Sequence, residues 1–169
     1  LSSAWAISGA QQVGEADGHA GLWSGTGASW VNLHPSGASL SHAYGIYAGQ
    51  QVGDVDGYAT LWNGSPASRV NLHPSGTIYS CTYGVSDGQQ VGEVDGHAAF
   101  WTGTGASRID LNPSGATYSA AYAAASGLQV GEADGHAGFW RGMAGSWIDL
   151  HWYLPSSYSS SAAQGIEMY

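Results

Sequence analysis

Four pairs of acidic residues, each followed by glycine, are the side chains in this sequence best placed to do chemistry. The pairs are Glu15/Asp17, Asp54/Asp56, Glu93/Asp95 and Glu132/Asp134. Two carboxylates before a glycine superficially resemble the start of a calcium loop, but calcium needs about six to eight oxygen ligands, and the later glutamate of an EF-hand loop is absent. Asp-Gly between two alternating runs is also a strong hairpin signal, because both central residues of a type I′ turn need a positive φ. The hairpin is the favoured interpretation, and no metal or other cofactor is predicted.

Histidines recur at two positions of a sequence pattern that is repeated along the chain. One group is His19, His97 and His136, and the other, just before proline, is His34 and His73. Zinc ligands cluster around one ion, whereas equivalent positions in different repeats are spread apart. Tyr58 replaces histidine at the first position and Asn112 at the second. We therefore expect these side chains to pack, or to hydrogen-bond at strand ends, rather than to bind a metal.

No residue has the sequence neighbours of a catalytic nucleophile. No serine, cysteine or carboxylate stands at a recognisable spacing from a base and an orienting partner. The acidic pairs recur in every repeat, whereas an active site is expected to break the symmetry in one of them. Cys81 is the single cysteine, and we expect it to be a small buried apolar residue. The sequence therefore predicts a protein that is not an enzyme.

The elements that must position these residues are four tandem repeats with a 39-residue step. A valine and a tryptophan occupy the same position in all four repeats. We call each set of four equivalent residues a column, and we predict that both columns form the core of the repeats. These columns are Val13, Val52, Val91 and Val130, and Trp23, Trp62, Trp101 and Trp140. A fixed period of this length is typical of a propeller, a solenoid or a similar array.

Turn signals divide each repeat into four short strands, and no helix is predicted. The repeats cover about residues 2–39, 40–78, 79–117 and 118–158, followed by a partial fifth repeat at 159–169. In the third repeat the strands are expected at about 81–86, 89–94, 97–102 and 107–112. The first strand has small side chains, which suit an axis, and the fourth alternates polar and apolar residues, which suits an outer position. The predicted fold is one all-β domain, 1–169, forming a β-propeller or a propeller-like stack.

The segment His97-Ala98-Ala99-Phe100-Trp101 and its three counterparts, which begin at His19, Tyr58 and His136, resemble the HAF family of probable extracellular bacterial repeats. The family signature is His-Ala-Phe followed by tryptophan, and here one residue separates the alanine from the phenylalanine or leucine. The resemblance implies a propeller-like fold and an extracellular or cell-surface location in a bacterium. It implies no catalytic residue.

The composition and charge of the chain limit the classes of molecule that it is expected to bind. The chain has 169 residues, three arginines, no lysine and a net charge of −9, so a nucleic-acid backbone or an anionic membrane is an improbable partner. No apolar run approaches the roughly 18 residues that a membrane span needs. The 43% hydrophobic content argues against disorder. The start at Leu1 without a leader suggests a mature or partial chain, which either secretion or an arbitrary boundary would explain.

Two less regular tryptophans, Trp30 and Trp147, align with Arg69 and Arg108 on the polar face of the fourth strand. We expect them to be exposed. An exposed aromatic ring beside Asn32 or Asp149 could stack on a sugar, so this face is a candidate glycan site, and otherwise a protein contact.

The end of the chain breaks the pattern. The fourth repeat gains three residues, and Ser161, Ala163, Gly165 and Ile166 then match a first strand such as Ser41–Ile46. The extra strand fits a fragment of a longer array, a strand given to a partner in head-to-tail assembly, or a cover for a sheet edge. We expect a structural, self-assembling protein, a dimer or a filament that loses assembly when residues after Pro155 are removed. The alternative is a lectin-like carbohydrate- or protein-binding module.

Overall fold

The computed structural model describes residues 1–167 and consists of four antiparallel four-stranded sheets, one per repeat. Sheet 1 contains β1 (Ser2–Ser8), β2 (Gln11–Ala16), β3 (His19–Trp23) and β4 (Val31–Asn32). Sheet 2 contains β5 (Ser41–Tyr47), β6 (Gln50–Val55), β7 (Tyr58–Trp62) and β8 (Val70–Asn71). Sheet 3 contains β9 (Ser80–Ser86), β10 (Gln89–Val94), β11 (His97–Trp101) and β12 (Ile109–Asp110). Sheet 4 contains β13 (Ser119–Ala125), β14 (Leu128–Ala133), β15 (His136–Trp140) and β16 (Ile148–Asp149). The all-β prediction with four tandem repeats is confirmed.

The hairpin turns have the backbone that their sequence predicts. Between β10 and β11, Asp95 and Gly96 have φ angles of 49° and 81°, and Asp87 and Gly88 before β10 have 49° and 77°. Positive φ at both central residues is the type I′ geometry, whose twist matches that of the flanking strands. The Asp-Gly signal therefore located both turns correctly.

The fourth strand is shorter than predicted. Instead of a strand over 107–112, the third repeat has a 3₁₀ turn, η3 (Gly105–Ser107), and then only Ile109–Asp110 paired with β11. Ser107 Oγ donates to the carbonyl of Thr104 at 2.6 Å and accepts from the N–H of Thr102 at 2.8 Å. These local bonds compete with the strand ladder. The equivalent turns are η1 (Gly27–Ser29), η2 (Pro66–Ser68) and η4 (Ala144–Ser146), and η5 (His151–Tyr153) follows β16.

The expected alternation along the fourth strand is also wrong in part. Leu111 is fully buried as predicted, but Ile109 is exposed and Arg108 is partly buried. The short β12 leaves Ile109 near the rim of sheet 3, while the aliphatic part of Arg108 is long enough to lie along the sheet.

Each first strand carries a bulge at an aromatic residue. The register shifts between Ala4 and Ala6 and between Ala43 and Gly45, leaving Trp5 and Tyr44 unpaired. These two rings are 4.9 Å apart between centroids. A bulge adds one residue to a strand and redirects its side chains. The buried side chains of a first strand, such as Ser41, Ala43 and Ile46 in β5, are therefore two and then three residues apart.

The sheets pack in chain order. The first strands β1, β5, β9 and β13 contact one another in succession, as their small side chains predicted. β5, β9 and β13 also contact the second and third strands of the preceding sheet. Among residues 1–167, no strand of sheet 4 makes an extensive contact with a strand of sheet 1. Closure into a propeller ring therefore stays a prediction.

One interface is built three times between neighbouring sheets. Val13, Ala20, Leu22 and Leu33 of sheet 1 pack against Ala43, Ile46, Val55 and Trp62 of sheet 2. The clusters between sheets 2 and 3, and between sheets 3 and 4, use the equivalent positions. Val13, Val52 and Val91 are fully buried, as are Trp62, Trp101 and Trp140, whereas Val130 is slightly exposed and Trp23 only partly buried. The two columns thus lie at the interfaces between sheets. Their members differ in burial only where a neighbouring sheet is missing.

Candidate interaction site

A serine at the start of each first strand holds that strand on the preceding sheet. The N–H of Ser41 donates to the carbonyl of Gly18 at 2.9 Å, and Ser41 Oγ accepts from the N–H of Ala20 at 2.8 Å. Ser80 and Ser119 make the same pair of bonds on sheets 2 and 3. We call this position on a sheet, formed in sheet 1 by Gly18 and Ala20, the first-strand site.

The second histidine group belongs to this site. His34 Nδ1 lies 2.8 Å from Ser41 Oγ, and Nε2 lies 3.1 Å from the carbonyl of Ala38. His73 makes the equivalent bond with Ser80. In the third repeat the amide oxygen of Asn112 accepts from Ser119 Oγ at 2.7 Å. These residues fix the serine hydroxyl by hydrogen bonding, as expected from the histidine-to-asparagine exchange.

The first-strand site of sheet 4 is occupied by the C-terminal tail (residues 159–167). The N–H of Ser161 donates to the carbonyl of Gly135 at 2.7 Å, and Ser161 Oγ accepts from the N–H of Ala137 at 2.9 Å. The N–H of Ala163 donates to the carbonyl of Gly131 at 3.1 Å. The tail therefore binds its own sheet 4 in the manner of the first strand of a fifth repeat.

The tail side chains alternate as those of a first strand do. Ser161, Ala163 and Ile166 are partly buried, while Ala162 and Gly165 are exposed. Of the four predicted assembly residues, three face sheet 4, and Gly165 does not. The spacing of these three residues equals that of Ser41, Ala43 and Ile46 in β5, where the bulge adds one residue between Ala43 and Ile46. Residues 168 and 169 of the predicted partial repeat lie outside the described residues.

The inserted residues leave the contact with the tail unchanged. His34 and Ser41 are 7 residues apart, whereas His151 and Ser161 are 10 apart, yet the Nδ1–Oγ distance is 2.8 Å in both pairs. The additional length is taken up by η5 and the loop after it. Trp152 and Tyr153 of η5 are 83% and 80% exposed. The sequence interpretation recognised the insertion but did not select this aromatic pair, although its position in the irregular segment was a usable signal.

The opposite end of the array has an uncovered face. Ser2, Ala4 and Ile7 of β1 are exposed, and Trp23 is only partly buried. Their counterparts in sheet 2, which are Ser41, Ala43, Ile46 and Trp62, are buried against sheet 1. A groove of about 360 Å³ along this face is lined by Ala4, Trp23 and their neighbours. We call Ser2, Ala4, Ile7 and Trp23 the open face of sheet 1.

The predicted exposure of Trp30 and Trp147 is wrong. Both are partly buried, and Trp30 lies on Gly21, where a Cβ would fall 1.6 Å from its ring. Trp147 covers Gly138 in the same way and lies 4.4 Å from the ring of Trp140. Each ring packs on its own sheet because the facing residue is glycine. In the repeats that carry the two arginines, Thr60 and Ala99 stand at the position of this glycine, so the pairing of tryptophan with glycine was a readable signal.

The polar neighbours proposed for a sugar are already engaged in protein contacts. Asn32 Oδ1 accepts from the N–H of His34 at 2.9 Å. Asp149 Oδ2 lies 2.8 Å from His136 Nδ1, and its Oδ1 accepts from the N–H of His151 at 2.7 Å. Burial opposes ionisation of Asp149, but these bonds outweigh it, and the pKa of Asp149 lies below its usual value.

The two arginines are held differently. Arg69 is partly buried, and Arg108 pairs with Asp110 at 3.1 Å. The six residues proposed for sugar binding are thus distributed over four sheets, and the structure does not bring them together in one site.

The acidic pairs divide into two structural roles. The aspartates before glycine hold the residue that precedes the first strand of their own sheet: Asp95 Oδ1 accepts from the N–H of Tyr79 at 2.8 Å and Asp134 Oδ1 from that of Tyr118 at 3.0 Å. Of the other members, Glu93 accepts from Tyr83 at 3.0 Å and Glu132 from Tyr122 at 2.7 Å. Glu15 and Asp54 instead lie 3.5 Å and 2.9 Å from ring nitrogens of His42. Burial is the main cause that raises the pKa of Tyr122. Within residues 1–167, no group of three or more His, Cys, Asp or Glu side chains is arranged to hold a metal ion.

A cavity of about 740 Å³ lies among the C-terminal halves of the first strands. Trp5, Tyr44 and Tyr83 line one side, and Gln164 and Glu167 of the tail line another. The rings pack on each other, with 6.0 Å between the centroids of Tyr44 and Tyr83. Packing of these aromatic rings on one another covers most of their faces. Cys81 nearby is fully buried, and burial is the main cause that raises the pKa of its thiol.

No family model matches the chain, and no curated protein matches it. Among solved structures it is similar to the computationally designed Ika8 protein, with a TM-score of 0.57 and 21% identity over 89% of this chain. The chain spans about half the length of that protein, of which 49% is covered. The likeness concerns the fold. Among residues 1–167, no helix is long and apolar enough to cross a membrane.

Proposed function

We propose that this protein is a non-enzymatic, self-assembling structural β-repeat protein whose copies join through the same kind of interface that joins its repeats. The observation that carries the proposal is the open face of sheet 1. It presents, in the same register, the side chains that are buried at every internal interface, and no other sheet among residues 1–167 covers them.

The energetics favour covering this face. Ile46 and Trp62 are almost completely buried in sheet 2, whereas Ile7 is 67% exposed in sheet 1 and Trp23 is partly exposed. Full burial of one large apolar side chain stabilises by about 1.5–3 kcal/mol. An exposed apolar patch of this kind marks an interaction surface. The surface that fits it is the outer face of sheet 4, because sheets 1 to 3 each present an equivalent face to the next sheet.

This contact is heterologous, since it joins two different faces of the chain. Such contacts close into a ring when the rotation permits, and otherwise extend into a filament. Two copies would make a closed ring of eight sheets, a propeller, and many copies would make a fibre. The resemblance of the repeats to the HAF family supports an extracellular or cell-surface location in a bacterium.

Light scattering over a range of protein concentrations, with electron micrographs of the same samples, tests the proposal. The full chain should form particles larger than a monomer, and Ile7→Asp should reduce them because it places a charge on the open face. Ser24→Asp is the matched control, since Ser24 is exposed and its equivalents at the internal interfaces, Asn63, Thr102 and Arg141, are exposed as well. A chain that stays monomeric at every concentration, with and without its tail, would refute self-assembly.

A second function is favoured by the exposed pair Trp152 and Tyr153. Adjacent exposed aromatic rings offer a stacking surface for a sugar or an anchor for a protein partner. We propose this pair, rather than Trp30 and Trp147, as the contact surface of the alternative lectin-like module. Retention on immobilised polysaccharides that is lost in Trp152→Ala and kept in Trp147→Ala would support it, and no retention of the parent chain would exclude it.

A further inference from the structure

We propose that the C-terminal tail is an internal competitor for assembly: it occupies, on sheet 4, the site that β1 of a second copy takes when two chains join. This inference rests on the proposed function and specifies its interface and its regulation.

The first argument is the identity of the groups involved. The tail places Ser161, Ala163 and Ile166 against sheet 4, and β1 carries Ser2, Ala4 and Ile7 at the same spacing. Both sets match Ser41, Ala43 and Ile46, which occupy the first-strand site of sheet 1. Any of these strands can therefore make the same contacts with a preceding sheet.

The second argument is that the site holds one strand. The N–H of Ala137 has one hydrogen to donate, and in the tail-bound chain it goes to Ser161 Oγ. The carbonyls of Gly131 and Gly135 accept from the backbone of the tail along the same line. A β1 strand from a second copy would place its own backbone where the tail lies. Binding of the tail and binding of a second copy are mutually exclusive.

The third argument is that the tail covers the site incompletely. Leu33, Leu72 and Leu111 are fully buried by the next sheet, but the equivalent Leu150 remains 39% exposed under the tail. A following sheet supplies a tryptophan to each internal cluster, as Trp62 does, and a valine to the first two, as Val55 does. Residues 159–167 include neither a valine nor a tryptophan. A second copy would supply Ala16 and Trp23 and so bury more apolar surface than the tail does.

The balance then depends on protein concentration. The tail is joined to sheet 4 by a short loop, so its effective concentration at the site is on the order of millimolar. A second copy makes a larger contact but arrives from solution. The tail thus suppresses assembly at low concentration and yields to β1 at high concentration, or when another agent removes it.

The test compares two substitutions in the full chain, one on the side of the tail that faces sheet 4 and one on its exposed side. Ala163→Glu places a charge in the first-strand site and should release the tail, whereas Ala162→Glu makes the same chemical change on the exposed side. We expect Ala163→Glu to assemble at a concentration at least about tenfold lower than the parent chain, since loss of 1.4 kcal/mol of tail binding corresponds to a factor of ten. Ala162→Glu should match the parent.

Two further measurements make the outcome decisive. A synthetic peptide of residues 156–167 should dissociate the Ala163→Glu particles, because it restores the competitor in trans. Adding Ile7→Asp to Ala163→Glu should return the chain to monomers. If Ala163→Glu abolishes assembly that the parent chain shows, the tail is an exchanged strand and the competitor proposal is wrong. If both glutamate variants assemble as the parent does, the tail has no regulatory role, although self-assembly stands. If neither the parent nor Ala163→Glu assembles at any concentration, the proposed function fails as well.

Discussion

The backbone N–H of Ala137 donates a hydrogen bond of 2.9 Å to the hydroxyl of Ser161, which lies 24 residues further along the chain. The same bond joins residues 21 apart at each of the three internal interfaces, for example Ala59 and Ser80 at 2.8 Å. One serine satisfies a carbonyl, an N–H and an imidazole or amide at the junction of two sheets. The bond recurs in the tail despite three inserted residues, so Ser161 is anchored on sheet 4 as Ser41 is on sheet 1.

The first prediction concerns this anchor. Ser80→Ala removes the acceptor of the buried N–H of Ala59 and the partner of His73 Nδ1. A buried donor left without a partner costs about 1–3 kcal/mol. We expect the free energy of unfolding, measured with urea, to fall by that amount. Ser2→Ala is the matched control, because Ser2 is exposed on the open face of sheet 1, and it should change the free energy of unfolding of the monomer by less than about 0.5 kcal/mol. Equal effects of the two substitutions would contradict the role assigned to the serine.

The second prediction concerns the close approach of the first two strands of each sheet. A Cβ on Gly92 would lie 1.9 Å from the carbonyl oxygen of Cys81, so Gly92→Ala requires a backbone shift in the core of sheet 3. We expect a loss of about 3 kcal/mol or more in the free energy of unfolding. Gly145→Ala is the control, since a Cβ there meets no atom within 4 Å, and it should alter stability by less than about 0.5 kcal/mol. Similar urea midpoints for the two variants would show that the strands adjust without strain.

The repeats explain how much of this structure could be predicted from the sequence. Asp95-Gly96 located a hairpin because a type I′ turn has a strong local signal, and the 39-residue step placed four sheets. The 3₁₀ turn at Gly105–Ser107 was missed because a serine hydroxyl that bonds its own turn also fits a strand pattern. The burial of Trp30 was missed because it depends on Gly21, nine residues away on the neighbouring strand. The match of Ser161 to Ser41 predicted a surplus first strand, but the sequence alone left open whether it binds its own sheet or a partner.

The third prediction concerns acid stability. The carboxylate of Asp134 accepts from the side chain of Thr117 and from the N–H of Tyr118, and these bonds lower the pKa of Asp134 below its usual 3.8. A lowered pKa in the folded state means that the carboxylate stabilises the fold at pH values above 3.8. This stabilisation is lost as the pH falls through the lower folded-state value.

Asp134→Asn keeps an acceptor oxygen and tolerates the positive φ of 47° at this turn, but it does not titrate. Urea unfolding of the variant should therefore depend less on pH below about 4 than that of the parent chain. Parallel curves for the two proteins across this range would show that Asp134 does not contribute to acid unfolding.

The last prediction separates structural from exposed aromatic residues. Trp147 covers Gly138 and packs on Trp140, so Trp147→Ala opens a gap beside the cluster between sheets 3 and 4. Complete removal of a buried tryptophan costs about 3–5 kcal/mol, and because Trp147 is only partly buried we expect a loss of about 1–3 kcal/mol in the free energy of unfolding. Trp152→Ala removes a side chain that is 83% exposed and should leave stability within about 0.5 kcal/mol of the parent. If Trp147→Ala were as stable as Trp152→Ala, the ring would not be part of the sheet packing, and Trp147 would return as a candidate for binding a sugar.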